Sequence, residues 1–414
     1  MKSVKSTNKP LRQYYLDWLR VLIILNLIPW HAAWLIVYTT GLSDSTHHSP
    51  GIIILQYYKG FFLRWQMPLL FFIAGASACL SLRHRSPEAF VRERARRLFV
   101  PLMFFMLVCY PVLLYFWPGV SDNMSLSGYM FRFWPHCLAT IHYSRMPGRT
   151  PMPGWAHLWF VAYLLIFSLI SLPLFIWLNK RSENSKASKY ISFFTKTGTI
   201  LLLAIPLMVI NFILAPKWPM AQLNLYDDWT YFCYDMTIFI YGYVICLNDR
   251  LWQSVHQHLW ISLPPAIIST LLVLIMRFKM PVFSRPTYTP RYILYSVFLG
   301  LHTWCWILVL IALAKRYLSG TNRFLKYAGR ASYPFYILHF LLMIVISHFV
   351  YKLHLGTAAE FISLSFLTFI ATLGSYELIV KRTKATRVLF GVKAYYHWMN
   401  MLWENIILFF QAGL

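Results

Sequence analysis

LDWLRVLIILNLIPWHAAWLIVY, residues 16–38, decides the class of this protein. After Asp17 and Arg20 the stretch holds no acid, lysine or further arginine, and its polar residues are few. A membrane-crossing helix needs about 20 mostly apolar residues to pass a ~30 Å hydrocarbon core, and this run is long enough. It is too long for the apolar region of a cleaved leader and lacks a small-residue cleavage site, so it is expected to stay as an anchor. The whole chain follows the same pattern. Of its 414 residues, 58% are hydrophobic and 12% charged, with a mean hydropathy of +0.53. Soluble domains carry about 25% charged residues. The composition excludes an ordinary soluble domain and a disordered chain, and points to an all-α polytopic membrane bundle.

About ten apolar segments are long enough to span, near residues 16–40, 60–82, 98–117, 156–178, 197–215, 229–247, 259–276, 292–314, 331–350 and 360–380. The net charge of +25 then becomes a statement about topology. In a soluble protein it would suggest nucleic acid; in a membrane protein, Lys and Arg collect on cytoplasmic loops. Of the 38 Lys and Arg, 26 fall on the side of the N-terminus and 9 on the opposite side, with Arg20, Lys59 and Arg64 in or beside helices. An odd number of spans would scramble that division. Ten helices with both termini cytoplasmic are expected, and no nucleic-acid partner. Residues 1–380 read as a membrane domain. Residues 381–414 read as a basic, interfacial amphipathic tail with Trp and Tyr at headgroup level. The long loop 118–155 is rich in Pro, Trp, His and Arg and is compatible with an acceptor site or a linker. The cysteines at 79, 109, 137, 233, 246 and 305 form no CxxC or zinc-type spacing, so neither a disulfide framework nor a metal site is expected.

Ionisable residues inside apolar runs are costly and mark polar cavities. Arg20 and His31 lie eleven positions apart, which places them within about 20° on one helix face and ~16 Å apart. Asp17, one turn before Arg20, is a ready partner. Histidine ordinarily titrates near neutrality, so His31 could accept or pass a proton; it could equally be a hydrogen-bonder between helices, and Arg20 a snorkelling interface cation. Pro29 frees a carbonyl just before His31. The stretch SLRHRSPEAFVRERARRLFVP, 81–101, packs six cations into 15 residues, with Arg94 and Arg97 one turn apart. Arginine forks suit phosphate oxygens, while a cluster touching anionic lipid explains the same charges. His157, Trp159, Tyr336, His339 and Glu377 are further polar or aromatic residues in apolar runs, each readable as an interhelical contact. No GxSxG elbow, GxGxxG or Walker A sequence is present.

Read in order, LDWLR with Arg20 followed by His31, PLLFFIAGAS at 68–77, RARRLFVP at 94–101, HLWFV at 157–161, ASYPFYILHF at 331–340 and YELIV at 376–380 resemble the acyltransferase 3 family of integral membrane enzymes. PWH at 29–31 and the YELIV…LFGVK ending look most like its periplasmic glucan succinyltransferase subgroup. The resemblance implies an enzyme that moves acetyl or succinyl from cytoplasmic acyl-CoA to a hydroxyl of a carbohydrate acceptor across a bacterial inner membrane. It implies that His31 is the catalytic histidine, that Arg20 lines the same channel, and that Arg94 and Arg97 engage the CoA phosphates. One departure is Ala74-Gly75, where the family usually carries Ser-Gly. A transporter or flippase of a polar metabolite or lipid-linked sugar is the competing expectation, with Arg20, His31 and Glu377 lining a path; no inverted repeat supports it.

Overall fold

The computed structural model describes residues 13–43, 49–117, 125–133, 155–181, 193–218, 225, 227–279 and 288–392. The described residues are helical, with ten principal helices in chain order. These are α1 (Tyr14–Ser43), α2 (Pro50–Leu82), α3 (Pro87–Tyr115), α4 (Ala156–Ile170 continued by Leu172–Lys180), α5 (Thr199–Leu214), α6 (Trp229–Leu247), α7 (Leu259–Met276), α8 (Pro290–Tyr317), α9 (Arg323–Leu353) and α10 (Thr357–Val380). All ten expected segments are helices, but they are not ten equal spans. Eight are long and apolar enough to cross a membrane. The two parts of α4 meet at 46° and cross only if counted together; Pro173, which cannot donate to the preceding turn, follows the bend. α5 is shorter, about 24 Å at 1.5 Å per residue.

Two helices begin well before the apolar runs do. α2 starts at Pro50, where Ser49 accepts from the Ile52 amide at 3.4 Å and proline occupies the first turn. It breaks at Arg64–Trp65, and Thr303 of α8 donates to the freed Arg64 carbonyl at 2.9 Å. α3 starts at Pro87 behind the Ser86 cap, so the basic stretch is itself helical. α3 widens into π turns at Ala95–Phe99 and Phe105–Cys109; Pro101 and Pro111 follow, each lacking the amide that an α turn would use. α1 runs unbroken through Pro29. The interfacial helix expected in 381–414 lies, beyond Val392, outside the described residues, as does most of loop 118–155 with Cys137.

Packing fixes how the helices sit. α1 and α9 run side by side in the same direction: Trp18 donates to the Gly320 carbonyl at 3.0 Å and stacks on Phe324, and further along His31 meets His339. α2 and α6 also run in one direction and touch at their backbones. A Cβ on Gly75 would lie 2.0 Å from the Phe239 carbonyl oxygen, and one on Gly242 would lie 2.1 Å from that of Phe72. Small residues that let backbones meet are the usual way membrane helices associate. α1 and α2 are clasped by Asn26, which donates to Gln66 at 2.6 Å and accepts from Tyr58 at 2.8 Å.

Candidate active site

His31 lies in the middle of α1. Its Nδ1 is 2.9 Å from the Leu27 carbonyl, one turn back, and 3.2 Å from Nε2 of His339 on α9. The Nδ1 of His339 is in turn 2.9 Å from the Phe335 carbonyl. A carbonyl oxygen only accepts, so both Nδ1 atoms carry hydrogen. The Nε2 of His339 is therefore a lone pair turned to the His31 N–H. The remaining nitrogen, Nε2 of His31, is also a lone pair, and no described residue bonds to it. This is the arrangement a general base needs: one nitrogen fixed, the other open.

His157 completes a group of three imidazoles. It sits at the start of α4, where Ala156 adopts φ +45°, a left-handed conformation costly for a residue with a Cβ. That turn brings His157 inward: Nε2 donates to the Ile337 carbonyl at 3.0 Å, and the ring lies 5.3 Å from His339. Tyr336 donates to the His157 carbonyl. Phe340 packs on His31 at 4.8 Å and on His157 at 5.1 Å. Among the described residues no group of three or more His, Cys, Asp or Glu has the geometry to hold a metal ion.

Arg20 faces α9 on the same side as His31, as the eleven-residue spacing predicts. Its Nη2 bonds Asp17 at 2.8 Å and is the nearest group to the bare face of Gly329, 3.8 Å from where a Cβ would stand. Gly329 and His339 are ten residues apart on α9, about 15 Å. The lone side chain of Arg97 reaches Glu93 at 3.4 Å, and Glu93 also pairs with Arg85. Arg94 lies over the Phe90 ring at 4.9 Å. The cations of this stretch are thus partly compensated by Glu93 and by an aromatic face. Arg97 remains 43% exposed in a surface ion pair, which contributes little by itself.

A family model for an acyltransferase domain matches residues 13–377. The chain belongs to the acyltransferase 3 family. The matched region contains Arg20, His31, His157 and His339. The chain is similar to the "Glucans biosynthesis protein C" of Salmonella paratyphi B and of Salmonella heidelberg, each 25% identical over 181 residues. The match covers 42% of this chain and 42% of each relative. No solved structure matches this chain.

The other residues that the sequence singled out are spread through the bundle. Trp159 does not join the histidines; it packs on Phe71, Tyr163 and Tyr231. Glu377 sits in a π turn at the end of α10, where it accepts from Tyr327 at 2.7 Å and pairs with Lys381 at 2.9 Å. The required partner exists, and the pair is half-exposed rather than deep. A second polar cluster escaped the sequence reading. Tyr163 donates to Asp228 at 2.9 Å, Arg64 donates to Tyr231 at 3.3 Å, and Asp235 is fully buried two turns along α6. Its signal was present: Asp235 is an acid inside the apolar run TYFCYDMTIF.

Proposed function

We propose that this acyltransferase moves an acyl group, acetyl or succinyl, from acyl-CoA onto a hydroxyl of a carbohydrate acceptor. The donor enters from the end of the bundle where the cations collect, taken as cytoplasmic, and the acceptor from the opposite side of a bacterial inner membrane. The observation that carries this reading is the fixed His31 imidazole, with its Nδ1–H held by Leu27 and His339 and its Nε2 lone pair open. The name of the Salmonella relatives supports a glucan-type acceptor. Residues 1–380 serve as the acyltransferase domain, and 381–414 as a basic tail at the membrane surface.

In this mechanism Arg94 and Arg97 take the CoA phosphates at the basic end, and Arg20 lines the passage along α9. Extended pantetheine spans the ~15 Å from there to His31. His31 Nε2 removes the proton of the acceptor hydroxyl as its oxygen attacks the thioester carbonyl. The tetrahedral intermediate collapses, the C–S bond breaks, and the CoA thiolate recovers the proton from His31. The charge on the transient imidazolium is shared with the Leu27 carbonyl and the His339 lone pair. A dry passage also slows thioester hydrolysis. Purified protein in nanodiscs, given radiolabelled acetyl-CoA or succinyl-CoA and a gluco-oligosaccharide, should transfer label. His31→Ala should lower transfer by at least about 10²-fold with an unchanged melting transition. Undiminished transfer by that variant removes His31 from the chemistry.

A further inference from the structure

We propose that Trp34, Tyr38 and Trp117 form the acceptor subsite and seat a pyranose ring beside His31, on the side away from the arginines. The purpose of the subsite rests on the acyl-transfer reading; its geometry does not. Trp34 and Tyr38 follow His31 by three and seven residues on α1, so all three share one face. Their rings lie nearly parallel, 8° apart with centroids at 5.3 Å. Trp117, just past the end of α3, closes on both at 6.0 Å. Phe340 forms the floor, 6.1 Å from Trp34 and 6.2 Å from Trp117, and the same ring touches His31 at 4.8 Å. Trp34 begins about 4.5 Å of helix rise beyond His31. A ring held there brings a hydroxyl to the open Nε2.

The polar tips of these rings bear on the ligand class. Trp18, Trp30, Trp252, Trp304 and Trp306 each donate their indole N–H to a protein acceptor, whereas the buried Trp65 has none. Trp34 and Trp117 do not: among the described residues neither indole N–H has an acceptor, and the Tyr38 hydroxyl has no partner. All three side chains are half-buried. An aliphatic chain would desolvate three polar groups without replacing their hydrogen bonds. A pyranose offers C–H faces to the rings and hydroxyls to the tips, the combination that aromatic-lined pockets with a few polar groups select.

The test is saturation-transfer NMR and calorimetric titration of a linear glucotetraose with the full chain in nanodiscs. Wild type and His31→Ala are expected to bind it. Trp34→Leu and Trp117→Leu, which keep apolar bulk, should weaken binding by roughly tenfold. Trp34→Phe and Trp117→Phe, which keep a stacking face, should stay within a few-fold of wild type. Unchanged affinity in both leucine variants overturns the proposal, as does a wild type that binds dodecanol but not the tetraose. Weakened tetraose binding in the leucine variants supports the subsite even where no acyl-CoA supports transfer, a result that counts against the donor reading alone. A wild type that hydrolyses acyl-CoA but does not bind the tetraose counts against the subsite alone.

Discussion

A buried histidine acts as a base only if its neighbours decide which nitrogen keeps the proton. Here the decision passes through two rings: Phe335 fixes His339, and His339 together with Leu27 fixes His31. His339 is therefore a positioning residue. Replacing it by leucine should lower the turnover of acyl transfer on the order of 10²-fold and leave the KM for the donor unchanged. His339→Gln, whose amide oxygen can still accept from His31, should recover part of the loss. A glutamine variant no better than leucine would reduce His339 to a packing role. Nothing in the sequence joins His31 to His339. Each stands out alone as a polar residue in an apolar run, but residues 308 positions apart are brought together only by the pairing of α1 with α9. Arg20 was easier to place, because its relation to His31 lies within one helix and follows from periodicity.

Among the elements, the crossing of α2 with α6 explains the sequence PLLFFIAGAS. Whether the serine that Ala74 replaces matters for chemistry or only for small size was the sequence's question; the neighbouring Gly75 is a separate position. For Gly75 the structure answers size: a Cβ there meets backbone, which cannot move aside as a side chain would. Gly75→Ala should cost about 1–3 kcal/mol, read as a lower melting temperature in detergent, and Gly242→Ala should do the same from the other helix. An unchanged melting temperature in both variants would show that the crossing relaxes freely. Helix starts were less legible than helix existence. Hydropathy marks where a chain is apolar, whereas the cap at Ser86 extends α3 through polar sequence, and the cap at Ser49 starts α2 at the short apolar stretch IIIL, 52–55, ahead of the expected span. The extension of α3 matters most, since it carries Arg94 and Arg97 on a helix, one turn apart as their spacing predicts.

At the scale of the whole molecule, the uneven distribution of 38 cations predicts orientation. In a cysteine-free background, Ser319→Cys, between α8 and α9, should react with a membrane-impermeant maleimide only after the membrane is opened. Leu355→Cys, between α9 and α10, should react in intact spheroplasts. The reverse pattern would invert the bundle and place the arginines on the wrong side for a cytoplasmic donor. The sequence by itself determined that the chain is a helical membrane protein, how many apolar segments it has, and which ionisable residues those segments carry. Composition, hydropathy and helical period are local quantities and need no partner. The tertiary structure alone decided that three histidines from α1, α4 and α9 meet, that Trp159 and Glu377 stand apart from them, and that Arg64 and Asp235 belong to a second buried cluster. Hydropathy holds a helix in the membrane but does not specify its neighbours; the close fit of small residues and interhelical hydrogen bonds does.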